Sequence, residues 1–233
     1  MLATQSTAAQ STRYRSNRWR TQLVIILFSA SIVTGLIAVS FDVSRVVLVA
    51  RVSHGEQITR NEAETSDAFQ RNIALIQAGL YVVAGVVFLA WLYRAYKNVN
   101  AFGAESLTSS PGSALISFFV PMLNLYLPAV AVSELWKASD PAITAGEAWQ
   151  QARHSRLVII WWLVILAWGI ARVIQSIFRL RLDPLGRVTF DYYMRLAQTD
   201  VVLDAFFAVS ALLSLMLVYR INRRQEIKAQ IGP

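Results

Sequence analysis

Polar side chains capable of chemistry lie within two otherwise apolar parts of this chain, and their spacing limits what they can do. Trp91, Arg94 and Asn98 follow one another at intervals of three and four, which places them on one face of a helix. Arginine donates to free carbonyls, asparagine bridges a donor and an acceptor, and Glu134 offers a counter-charge. With Asn124 they form a structural polar cluster whose chemistry is hydrogen bonding rather than bond breaking. Arg172 and Asp204 lie in separate long apolar runs, where a cation and an anion either pair or serve a proton or ion pathway.

Catalytic constellations are scarce. The chain has no cysteine, which excludes disulfides, thiolate metal sites and thiol catalysis. No glycine-rich phosphate loop, His-Glu-x-x-His pair or nucleophile elbow occurs in the sequence. The histidines, His54 and His154, fall on opposite sides of the membrane in the topology reasoned below, so they share no metal within one chain. His154 with Trp161 and Trp162 would suit a cofactor pocket, but histidine and tryptophan are ordinary anchors at a membrane interface. The expectation is a protein that is not an enzyme, with no catalytic residue, no metal and no cofactor.

The elements that must position these groups are membrane helices. Hydrophobic residues make up 55% of the 233 residues and charged residues only 15%, with a mean hydropathy of +0.45. Apolar runs at about 23–40, 73–93, 157–178 and 201–219 each approach the roughly 20 residues that cross about 30 Å of hydrocarbon as helix. The fold class expected is therefore an all-α integral membrane protein with four transmembrane helices. A basic tail over 1–20 precedes the membrane domain, 21–219, and a second over 220–233 follows it.

A fifth run, 112–136, is long enough but contains Pro121, Asn124 and Pro128. Proline lacks an amide hydrogen and crowds the carbonyl four residues back, so a continuous helix would orphan the carbonyls of Ser117 and Asn124. Each orphan costs several kcal/mol in lipid unless protein or water satisfies it. The run is expected to be a re-entrant or interfacial segment, with Arg94, Asn98, Asn124 and Glu134 satisfying its broken backbone.

Charge bias fixes the orientation. Arg13, Arg15, Arg18 and Arg20 precede the first run without an acid, and Arg220, Arg223, Arg224 and Lys228 follow the last with only Glu226. Both ends then lie in the cytoplasm, the number of crossings is even, and the broken segment is the one that does not cross. The N-terminus reads as a retained signal anchor. In the stretch from Phe41 to Asn72, an outer loop on this topology, acids balance the arginines. After Phe41 the sequence has no helix breaker, and it either prolongs the first helix or lies along the surface. A turn is expected at Asp183-Pro184-Leu185-Gly186, and a short helix from about Pro141 towards Arg153.

This topology brings Arg172 and Asp204 to one depth. Each is 15 residues from the cytoplasmic end of its run, or about 22 Å at the helical rise. An intramembrane pair follows, with Gln77 as a neighbour, unless Arg172 snorkels to the outer border. Ser31 and Gly35 offer a small-residue face for close helix contact.

The motifs Trp91-Leu-Tyr-Arg94-Ala-Tyr-Lys-Asn98, Ser110-Pro111, Phe119-Val-Pro121-Met-Leu-Asn124-Leu-Tyr-Leu-Pro128, Ser133-Glu134-Leu-Trp136-Lys-Ala-Ser139 and Trp161-Trp162 resemble the DUF4328 family of bacterial membrane proteins. The resemblance covers about Ile73 to the C-terminus, and it implies a multi-span protein of the bacterial inner membrane without implying a mechanism. The functional expectation is a non-catalytic accessory or structural subunit of a larger membrane assembly. The alternative is lipid or hydrophobic small-molecule binding or transport through a polar site at the broken segment. The partners expected are anionic lipids, which suit the net charge of +8 carried at chain ends and helix borders, and other membrane protein subunits. Nucleic acid is not expected.

Overall fold

A computed structural model describes residues 13–143, 146–180 and 189–231. The turn expected at Asp183 to Gly186 lies outside them. Helices dominate in the order α1 (Arg18–Ser53), α2 (Arg60–Ala101), α3 (Pro111–Ile116), α4 (Pro121–Asn124), α5 (Leu127–Ala138), α6 (Arg156–Leu180) and α7 (Phe190–Ile231), with a 3-10 turn at Ala148–Gln151 between α5 and α6. Among the described residues the only β pairing is an isolated bridge between Ala104 and Gly146. Four helices, α1, α2, α6 and α7, are long and apolar enough to cross a membrane.

The long helices run well past their apolar cores. α1 continues to Ser53 and α2 begins at Arg60, so most of the stretch read as an outer loop is helical. Local signals set both boundaries. After Ser53 the Gly55 amide bonds the Val52 carbonyl at 3.0 Å and the Glu56 amide the Arg51 carbonyl at 3.1 Å; Gly55 adopts φ 88°, a left-handed helix stop that costs glycine least. Thr59 then starts α2 through a reciprocal cap: its hydroxyl accepts the Glu62 amide at 3.2 Å, and Glu62 Oε2 accepts the Thr59 amide at 2.8 Å. The expected helix from Pro141 is instead a turn at Pro141 and Ala142 followed, after the undescribed pair 144–145, by the short 3-10 turn.

The apolar run 112–136 folds as three short helices, none long enough to span. Ser110 caps α3 with Pro111 in its first turn, Pro121 opens α4 and Pro128 lies in the first turn of α5. First-turn amides have no intrahelical acceptor, so proline loses nothing there. Tight turns absorb carbonyls between the helices: Phe119 bonds the Ile116 carbonyl at 2.9 Å and Asn124 that of Val120 at 2.7 Å.

The chain divides into two compact units. One comprises 22–88 and 156–219, the apolar lengths of α1, α2, α6 and α7. Its core includes Val24, Ala38, Trp161, Leu203 and Leu217, with the Trp161 indole donating to Ser214 at 2.8 Å. Trp161 is thereby a core residue, its ring 5.5 Å from that of Trp162 and tilted 44° to it. The other unit comprises 1–21, 89–155 and 220–233, and its core includes Trp91, Tyr96, Val132, Leu135 and Ile221.

In the first of these units α1 and α7 approach closely at Gly35, where an added Cβ would sit 2.9 Å from the Cβ of Ala208. Gly35→Val is expected to force the helices apart and cost about 1–3 kcal/mol. The check is the thermal midpoint in detergent; a midpoint equal to wild type would sink this account of the contact.

Candidate functional site

In the unit containing the central segment, α2 presents Trp91, Arg94 and Asn98 to residues 15–21. The Trp91 indole donates to Thr21 Oγ1 at 3.1 Å, and the Trp91 carbonyl accepts from Asn17 Nδ2 at 3.0 Å. Arg94 Nε donates to the Arg15 carbonyl at 3.4 Å. Asn98, wholly buried, accepts the Arg15 amide at 3.3 Å and donates to Gln225 Oε1 at 3.2 Å. Gln225 then donates to the Ala95 carbonyl at 3.0 Å and to Ser139 Oγ at 3.1 Å. Beside these bonds Tyr14 stacks on Phe102 at 5.4 Å; burial, followed by the nearby Glu226 carboxylate, raises its phenol above the ordinary range.

The end of α5 is held by α7. Arg224 donates to the Trp136 carbonyl and to Asp140, both at 2.9 Å, with its guanidinium 4.2 Å from the Trp136 ring. Lys228 Nζ donates to the Ala138 carbonyl at 3.0 Å. These are the last carbonyls of a helix, the end that attracts cations. Glu134 Oε1 accepts the Thr108 amide at 3.0 Å, and its Oε2 has no partner among the described residues. Lys137 lies 3.1 Å from His154 Nε2.

Of the residues expected to repair the broken segment, Arg94 and Asn98 thus bond Arg15 and Gln225, and Glu134 bonds Thr108. Pro121 is exposed, Asn124 half-buried and Pro128 buried, and the turns described above take up the carbonyls of Ile116 and Val120. Asn17 and Gln225 also belong to this network, and no spacing in the sequence connects them to it.

A second polar group occupies the other unit. Arg172 Nη2 lies 2.9 Å from Asp204 Oδ1. α6 also contributes Gln175, which donates to Asp200 at 2.7 Å, and Arg179, 2.6 Å from the same carboxylate. α1 adds Arg45, 3.2 Å from Asp200, and Asp42, which sits beside Asp204 and Gln70. Gln77 of α2 faces Asp204. All three aspartates are deeply buried, at 1% exposure for Asp42, 2% for Asp200 and 4% for Asp204. Helical spacing could have disclosed most of this: Asp200 and Asp204 are four apart, and Arg172, Gln175 and Arg179 fall on one face. Asp42 and Arg45 become visible once α1 is known to continue through them.

Among the described residues no group of three or more histidine, aspartate or glutamate side chains has the arrangement to hold a metal ion. His54 lies between α1 and α2, and His154 just before α6. The arrangement is that of a multi-pass helical membrane protein whose polar side chains tie helices and chain segments together. Residues 54–223 match the family described as domain of unknown function DUF4328, and the chain belongs to that family. The match begins ahead of Ile73 and takes in the capped start of α2. No curated protein and no solved structure matches the chain.

Asn98→Leu removes the acceptor of the Arg15 amide and strands the buried Gln225 Oε1, a stranded buried group costing about 1–3 kcal/mol. The expected result is a lower thermal midpoint together with faster trypsin cleavage at Arg15 and Arg18. Unchanged cleavage would show that residues 15–21 are held by other contacts.

Proposed function

We propose that this chain is a non-catalytic accessory or structural subunit of a larger membrane assembly in the bacterial cytoplasmic membrane, with both ends and the central segment on the cytoplasmic side. The observation that carries the reading is where the side-chain donors of the central unit are spent. Arg94, Asn17, Arg224, Gln225 and Lys228 each donate to a main-chain carbonyl. Donors committed in this way hold a scaffold and leave little polar capacity for substrate.

The same unit presents an apolar rim. Ile116, Phe119, Met122 and Tyr126 are 59%, 71%, 82% and 69% exposed, and they lie on α3 and α4, helices too short to cross lipid, or in the turns that follow them. A re-entrant or interfacial position for 112–136 would place this rim at the bilayer boundary, where a neighbouring subunit can cover it. Exposed Arg13, Arg15 and Arg18 with Trp19 at one end, and Arg220 and Arg223 at the other, suit anionic headgroups and a cytoplasmic location.

Mild solubilisation followed by native mass spectrometry tests this reading. A stoichiometric protein partner is expected, and the triple variant Phe119→Ser, Met122→Ser, Tyr126→Ser is expected to lose it while keeping the wild-type thermal midpoint. A lone particle that retains a lipid or small molecule would replace the subunit reading with binding or transport of a hydrophobic ligand.

A further inference from the structure

The charges in the aspartate cluster are unevenly shared. Asp200 has two arginines, Arg45 and Arg179, and Asp204 has Arg172. Asp42 makes no salt bridge among the described residues, although it is 1% exposed, and its Oδ2 has no hydrogen-bond partner there. An isolated ionised carboxylate so far from solvent is strongly disfavoured. Its immediate neighbour is a second carboxyl group, Asp204, and two carboxylates offer each other only acceptors.

A further polar group points into the same place. Gln77 is 6% exposed, its Nε2 has no acceptor among the described residues, and it faces Asp204. The neutral Gln70 of α2 stands beside Asp42. The charged groups facing Asp42 are Asp200 and Asp204 on α7, and the arginines of the cluster, Arg45 on α1 and Arg172 and Arg179 on α6, are engaged by those two aspartates. With no metal-holding arrangement among the described residues, the ligand that fits is the smallest cation.

We propose that Asp42 and Asp204 together hold one proton inside the helix bundle, so that this is a proton-binding site. The proton turns one carboxyl into a donor to the other, removes the unpaired charge on Asp42 and leaves Asp204 as the acceptor for Arg172. Taking it up or releasing it changes the net charge of the cluster by one without breaking a covalent bond. Any rearrangement of the Arg172 contact is thereby linked to proton occupancy.

Infrared spectroscopy of the full-length protein reconstituted in lipid, with the aspartate side-chain carboxyls labelled with carbon-13, reads this directly. At neutral pH the labelled wild type is expected to show the C=O stretch of a protonated aspartic acid, and Asp42→Asn to lack it. Asp42→Asn is expected to keep the wild-type thermal midpoint, since asparagine resembles the protonated acid, whereas Asp204→Asn lowers it by removing the acceptor of Arg172. If Asp42→Asn does not accumulate, Asp42→Glu moves the band from the labelled to the unlabelled position. Absence of the band from wild type, or its persistence unchanged in the Asp42 variants, overturns the proposal. The result is independent of whether a partner subunit co-purifies.

Discussion

Main-chain polar groups that water cannot reach must find partners within the protein, and most of this architecture follows from that requirement. In the long helices the backbone satisfies itself. Where it cannot, at helix ends and in residues 15–21, side chains take over. The Trp91 carbonyl receives Asn17, the Arg15 carbonyl receives Arg94, and the Trp136 and Ala138 carbonyls receive Arg224 and Lys228. The two prolines of the central run obey the same rule differently, since each lies in a first turn where an amide has no use.

Electrostatics in the other unit follow a related logic. Burying a carboxylate is tolerated when a cation and hydrogen bonds come with it. Asp200 meets this condition generously, with two arginines and Gln175, and Asp204 meets it with one arginine. The helices that supply these groups are α1, α6 and α7, so the cluster joins segments distant in sequence within that unit.

The sequence was informative where one physical signal dominates. Hydropathy located the four helices long and apolar enough to cross a membrane, and the prolines marked the run that breaks into short helices. Boundaries were less legible because a helix does not end where lipid does: capped by Thr59 and Glu62 and stopped at Gly55, α1 and α2 continue through polar residues that hydropathy alone assigns to a loop. The shared face of Trp91, Arg94 and Asn98 was readable from its spacing. Its contact with Arg15 and Thr21 was not, because spacing defines a face and not what covers it. Asp42 was hidden for the first reason and Gln225 for the second.

The bond chain from Arg15 through Asn98 to Gln225 also bears on biosynthesis. Asn98 lies 83 residues after Arg15, and Gln225 lies 127 after Asn98. A ribosome delivers these positions in order, and domains complete only when their last segment is available. Residues near Arg15 therefore emerge long before the helix that finishes their surroundings. Until α7 is made, Asn98 has one of its partners and the carbonyls at the end of α5 have none of their cations. The nascent chain holds an incomplete polar centre from the emergence of Arg15 until that of Gln225, an interval in which membrane insertion factors and quality-control proteases can act on it.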